Sequence, residues 1–176
     1  MIDPARVTYR DGRAPDALML SDLARETFVA TFGALYPIAD LNHYISHTYG
    51  RDLQEAELAD PENQHRLAFS GDIAIGYARL GAFKLPIEPV GVKVRELHRL
   101  YVIADAKGMG VAQKLMDWAF AAARGAGAEA MYLGVYQGND RAQRFYARQG
   151  FEIVGEYAFE VGQTRDPEYI MRASLA

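Results

Sequence analysis

Three runs decide how this chain is read: Glu96-Leu-His-Arg-Leu-Tyr-Val102, Lys107-Gly-Met-Gly-Val-Ala112 and Asn139-Asp-Arg-Ala-Gln-Arg-Phe-Tyr146. Val94 to Val102 reads as a strand, closed by a glycine turn. A helical pattern follows from Val111 to Ala123, with Ala112, Leu115, Met116, Ala119 and Ala123 on one face. Gly125 is expected to end that helix. Ala130 to Tyr136 is a buried-type strand. Asn139 to Gln149 is a second helix, with Asn139 as N-cap and Gly150 just past its end. A glycine turn that opens a helix presents backbone N–H groups at the positive end of the helix dipole, where a phosphate can be held.

Working outward, Val7 to Arg10 is a short strand, and Pro15 to Phe32 carries a helical stripe that Gly33 stops. Ile38 to Tyr49 and Leu53 to Leu58 read as two short helices. Arg66 to Phe69 and Ile73 to Leu80 form a hairpin about Gly71-Asp72. Lys84 to Gly91, with Pro86 and Pro89, is a loop or poor edge strand. Glu152 to Val161 and Glu168 to Ala173 complete the sheet. The chain shows no repeat, linker or low-complexity tract, so one mixed α/β domain over residues 1–176 is expected.

Composition narrows the function. The 176 residues contain no cysteine, which excludes disulfides, thiolate metal sites and a cysteine nucleophile. A net charge of −4 with no basic run argues against nucleic-acid binding. No apolar run approaches the ~20 residues of a membrane span, and no signal-peptide pattern opens the chain. A cytoplasmic location is the resulting expectation.

The glycine turn alone is ambiguous. It is not a Walker A loop, since no Gly-Lys-Ser/Thr follows. Nor is it a dinucleotide fingerprint, because Gln113 stands where Gly or Ala is wanted and Glu129 precedes the next strand rather than ending it. The alternative is a plain strand-to-helix connection. Tyr146 and Phe145 both suit a core, but the Tyr146 hydroxyl needs a polar partner if buried and can protonate a departing thiolate. By strand period Glu96 shares a face with His98, Leu100 and Val102, and either Glu96 or His98 could take a proton from an amine. His43 and His47 share a helix face with no third ligand evident, so no metal site is expected. Arg141, Arg144 and Arg148 form a basic stripe, from which Arg141 or Arg144 could meet a phosphate.

Together these residues resemble the GNAT superfamily of acyl-CoA-dependent N-acetyltransferases. Its cofactor turn, Gln/Arg-x-x-Gly-x-Gly/Ala, falls on Lys107-Gly108-Met109-Gly110-Val111-Ala112, with Lys107 off-pattern. Its second signature falls on Asn139, Ala142, Phe145-Tyr146 and Gly150-Phe151. The resemblance implies an α/β (α+β) fold with a mixed sheet of about seven strands flanked by helices, in which a splayed strand pair forms the acyl-CoA cleft. It implies acetyl-CoA as cosubstrate, with the pantetheine on the backbone of Leu100, Tyr101 and Val102. The pyrophosphate would lie on the amides from Gly108 to Gln113, and Asn139 and Ala142 would flank the cofactor arm. Tyr146 would be the general acid and Glu96 the base. It implies direct transfer to a primary amine with no metal, and dimers are common in the superfamily, so a homodimer is an expectation.

The run Glu96 to Val102, with Arg25 to Phe28 and Phe32-Gly33, is similar to the bacterial polyamine acetyltransferase branch. The substrate wall would come from residues near Phe28 to Tyr44 and Tyr157 to Tyr169. Asp40, Glu156 and Glu160 could there favour a cationic amine. A closed pocket would point to a small amine, and an open groove to a protein N-terminus or lysine. A non-catalytic acyl-CoA-binding module is the third reading.

Overall fold

The computed structural model describes residues 2–175. Seven strands form one sheet in the order β1-β2-β3-β4-β5-β7-β6. They are β1 (Val7–Asp11), β2 (Gln64–Ser70), β3 (Ile73–Gly81), β4 (Val94–Val102), β5 (Ala130–Tyr136), β6 (Glu152–Val161) and β7 (Thr164–Ser174). The helices are α1 (Ala17–Phe32), α2 (Ile38–Thr48), α3 (Arg51–Ala59), α4 (Val111–Gly125) and α5 (Asp140–Arg148). Among the described residues no helix is long and apolar enough to cross a membrane.

Every neighbouring pair is antiparallel except β4 and β5. A parallel pair needs a crossover, and α4 supplies it. The pair is short: Val94, Arg95 and Glu96 lie opposite Ala130, Met131 and Tyr132, and the ladder stops there. One cause lies on the other edge of β4. The β3–β4 register slips between Arg79 and Leu80, which face Arg99 and Leu97, so His98 is the extra residue of a β-bulge. A bulge bends the strand that carries it, and β4 leaves β5 from that point.

The bulge also overturns one expected face. Simple alternation groups Glu96 and His98 with Leu100 and Val102. In the structure Leu100 and Val102 pack with Leu97 in the core beneath α4. Glu96 meets His98, Arg99 pairs with Glu57 and Tyr101 stacks on Tyr77, all on the opposite face.

Two cores sandwich the sheet. Leu115, Met116 and Ala119 of α4 are fully buried against Ile75, Leu80, Met131 and Leu133. Each large side chain so buried contributes about 1.5–3 kcal/mol. On the other face Leu20 and Phe28 of α1 pack with Leu67, Tyr77 and Tyr49. The α4 helix runs through Gly125, and its stop is Gly127 at φ 73. Ala128 N bonds to Ala123 O and Gly127 N to Arg124 O, which satisfies two end carbonyls as in a Schellman motif. Gly125 keeps helical geometry, so its sequence signal is displaced by two residues. The Lys84–Gly91 segment is a loop. β7 begins at Thr164 rather than Glu168, because β5 ends opposite Glu168 and Pro167 needs only β6 beside it.

Candidate active site

Where β4 and β5 part, a cavity of about 640 Å³ opens. Of the residues expected at the site, Glu96, Leu100, Tyr101, Val102, Lys107, Gly108, Gly110, Val111, Ala112, Gln113, Asn139, Ala142 and Tyr146 line it. Met109 does not; its side chain packs against the α4 core.

One end is built by the glycine turn. Gly108 and Gly110 sit at φ 86 and 80, a left-handed backbone that disfavours any residue with a Cβ. The first helical bond of α4 runs from Lys114 N to Gly110 O. The N–H groups of Val111, Ala112 and Gln113 precede it and have no acceptor within the helix. Lys107, Arg141 and Arg148 line the same cavity; Arg144 does not.

The middle of the site is held by α5. Asn139 caps the helix through Oδ1, which accepts from Ala142 N at 3.1 Å. At the other end Gly150, at φ 90, lets Phe151 N bond Tyr146 O at 3.1 Å. The same motif brings the Phe151 ring edge-on to Tyr146, with centroids 5.8 Å apart. The Gly150-Phe151 pair thus fixes the residue it follows. Burial, and then the charge of Glu168, raises the Tyr146 hydroxyl above its ordinary value, so it stays protonated at neutral pH.

The far end is aromatic and carboxylate-lined. Phe28 packs with Tyr44 at 4.8 Å and Tyr44 with Phe159 at 5.6 Å. Glu168 of β7 accepts from the Tyr157 hydroxyl at 2.5 Å. Gly134 of β5 makes room for that pair, since a Cβ there would stand 2.8 Å from Glu168 Oε2. Desolvation pushes the Glu168 carboxyl up to about 7, with Asp166 adding to the rise and the Tyr157 hydrogen bond opposing it. Sequence reading missed Glu168 as a site residue. Its only local signal is a carboxylate next to Tyr169 and two residues from Asp166, and its partial burial comes from strands far apart in sequence.

Glu96 is buried and lies at the last β4–β5 pair. Its Oε2 accepts from Lys84 N at 2.7 Å and its Oε1 lies 3.1 Å from His98 Nδ1. His98 Nε2 is 2.9 Å from Ala82 O. Both side chains therefore tie down the loop after β3.

Three carboxylates expected to select the substrate lie elsewhere. Asp40 accepts from Gln163 N at 3.1 Å and Thr164 Oγ1 at 2.7 Å, which docks α2 on the β6–β7 turn. Glu156 and Glu160 are exposed and do not line the cavity. His43 and His47 stack at 4.1 Å, and among the described residues no cluster of three or more metal-ligating side chains forms.

A splayed parallel pair, left-handed glycines at a helix N-terminus and a tyrosine beside the gap define an acyl-CoA-dependent acyltransferase architecture. The family model of acetyltransferases (GNAT) matches residues 20–151. The chain is 27% identical over 154 residues to an uncharacterized N-acetyltransferase in the pepI 3' region of Lactobacillus delbrueckii subsp. lactis, covering 87% of this chain and 88% of that one. It is 27% identical over 141 residues to the aminoalkylphosphonate N-acetyltransferase of Salmonella typhimurium, covering 80% and 90%. The PaiA N-acetyltransferase of Thermoplasma acidophilum, solved with coenzyme A, shares the fold with a TM-score of 0.77 at 19% identity, covering 96% of this chain and 98% of that one. The chain belongs to the acetyltransferase (GNAT) family. It is an acyl-CoA-dependent N-acetyltransferase with acetyl-CoA as cosubstrate.

Proposed function

We propose that this enzyme acetylates the primary amine of a small cationic molecule with an apolar body, by direct attack on acetyl-CoA. The observation that carries this reading is the polarity of the cavity. Lys107, Arg141, Arg148 and unpaired helix N–H groups line it at the glycine turn and α5, and Glu96, Glu168, aromatic rings and the Glu57-paired Arg79 and Arg99 line the rest.

The first end suits the cosubstrate. Gly108 to Gln113 would hold the pyrophosphate through backbone N–H groups, with Lys107 and Arg141 adding charge. Past Glu96 the β4 edge has no β5 partner. Its peptide groups at Leu100 to Val102 need other bonds, and an amide-bearing arm matches that need. Asn139, whose Oδ1 is taken by the cap, would offer its amide N–H to that arm. Ala142 leaves room beside it. Acetyl-CoA supplies the acetyl thioester, and Tyr146 would donate a proton to the sulfur.

The second end suits an ammonium. Aromatic faces attract cations, and the guanidinium groups of Arg79 and Arg99 are already engaged by Glu57, at 2.6 Å each. The bonds from Gln163 and Thr164 to Asp40, and from Tyr36 to Asp166, tie the helices to the β6–β7 hairpin. A wall tied in this way favours a small amine over a protein segment.

Tyr146→Phe tests the assignment. Turnover should fall about 10²–10⁴-fold while acetyl-CoA affinity holds. Unchanged turnover removes Tyr146 as the acid. Binding of acetyl-CoA by the wild-type protein without transfer to any amine would favour a non-catalytic module.

A further inference from the structure

Two carboxylates, the buried Glu96 and the half-buried Glu168, line the cavity, and their surroundings differ. Both oxygens of Glu96 are engaged, one by Lys84 N and one by His98 Nδ1. The other ring nitrogen of His98 faces the carbonyl of Ala82. His98 thus stands between two acceptors, and a neutral imidazole has one N–H. A pair whose carboxylate oxygens and ring nitrogens all have partners, and which fastens a loop, is poorly placed to meet an incoming amine.

Glu168 differs on each count. Its Oε2 takes one bond, from Tyr157. It lies over Gly134, the β5 position where no side chain fills the space. Its charge is felt by Tyr146 from α5 and by Tyr36 from the α1–α2 connection. It lines the same cavity as Tyr146 and the aromatic wall of Phe28, Tyr44 and Phe159. The charged and titratable groups facing it are Tyr157 of β6, Tyr136 opposite it on β5, Asp166 of its own strand, Tyr146 and Tyr36.

We infer that Glu168, oriented by Tyr157, is the proton acceptor for the incoming amine, and that the Glu96–His98 pair is a clasp for the loop after β3. The inference rests on the amine acetyltransferase reading above. In the step, R–NH3⁺ gives one proton to the Glu168 carboxylate. The freed nitrogen lone pair forms the C–N bond at the acetyl carbon, and the C–S bond breaks with its electrons going to sulfur. Tyr146 protonates the sulfur and regains a proton from the new amide nitrogen. Glu168 then releases its proton to water. The sum is R–NH3⁺ plus acetyl-CoA giving R–NH–acetyl, CoA–SH and H⁺. Burial, which raises the carboxyl to about 7, leaves it largely ionised yet basic at physiological pH.

The test is the pH dependence of kcat/KM between about pH 5.5 and about 9.5, with phenethylamine or 1,4-diaminobutane as acceptor. Wild type, Glu168→Gln, Tyr157→Phe and Glu96→Gln are compared, with acetyl-CoA affinity by calorimetry as the check on folding. Wild type should show an acid limb at about 7. Glu168→Gln should bind acetyl-CoA normally, lose about 10²–10⁴-fold in kcat/KM at neutral pH, and lose the limb. Tyr157→Phe should move the limb upward, because a donor that favours the carboxylate is gone. Glu96→Gln should keep the limb where it is. The inference is overturned if Glu168→Gln keeps rate and limb, or if Glu96→Gln alone removes the limb. If the wild-type enzyme acetylates neither amine, the amine reading falls and this inference with it. That outcome is separate from an active wild type whose Glu168→Gln variant is equally active.

Discussion

Replacing Glu168 with Gln should stabilise the fold at alkaline pH while removing transfer. The native carboxyl is raised from its ordinary 4.5 to about 7. Between those values the native state keeps a proton that the unfolded chain releases, so stability falls as pH rises. The full benefit is present below about 4.5 and is gone above about 7. At about 1.36 kcal/mol per pH unit the displacement is worth about 3 kcal/mol. Glu168 is only partly buried by exposed area, and solvent screening brings the figure to roughly 2 kcal/mol. Gln keeps an oxygen to accept from Tyr157 and has no charge to desolvate. The gain of the variant over wild type, measured by urea unfolding, should therefore be about 2 kcal/mol larger at about pH 8 than at about pH 5. His65, whose ring is held down to about 4 by burial, works in the opposite sense: its stability is lost as pH falls. It is common to both proteins and cancels in the difference. A gain that does not change with pH, or that shrinks at alkaline pH, would refute the reasoning.

Other substitutions test the frame around the site. Gly110→Ala places a Cβ on a left-handed backbone at φ 80; it should cost about 1–2 kcal/mol and raise KM for acetyl-CoA more than it lowers kcat. Asn139→Ala removes the α5 cap and should cost about 0.5–2 kcal/mol by thermal or urea unfolding, with weaker cofactor binding. Asp40→Ala breaks the tie from α2 to the β6–β7 turn; KM for the amine should rise several-fold while acetyl-CoA affinity stays constant, as steady-state kinetics with either substrate varied will read.

The legible parts of this molecule are those specified by neighbours in sequence. Asn139, Tyr146 and Gly150-Phe151 sit in one helix and its two caps, and the structure keeps them as a unit. The glycine turn is equally local, and Gly108 and Gly110 have the backbone its composition suggests. What lay beyond reach was set by distant strands. The His98 bulge comes from slippage against β3 and regroups β4 by face. Glu168 reads only as the first residue of the last strand, and β6, β5 and the Gly134 gap together place it in the cavity. Asp40 reads as a carboxylate for a cationic amine, and only the fold brings the β6–β7 turn to it.

The most direct measurement is a competition in one tube. Acetyl-CoA is mixed with enzyme and equal amounts of phenethylamine, 1,4-diaminobutane, 2-aminoethylphosphonate and a lysine-containing peptide, and the products are counted by mass spectrometry. The polarised cavity with its tied wall predicts acetyl-phenethylamine or acetyl-diaminobutane as the main product, with CoA–SH released in equal amount. Acetylation confined to the phosphonate or the peptide, or CoA–SH released without any acetylated amine, would contradict the account.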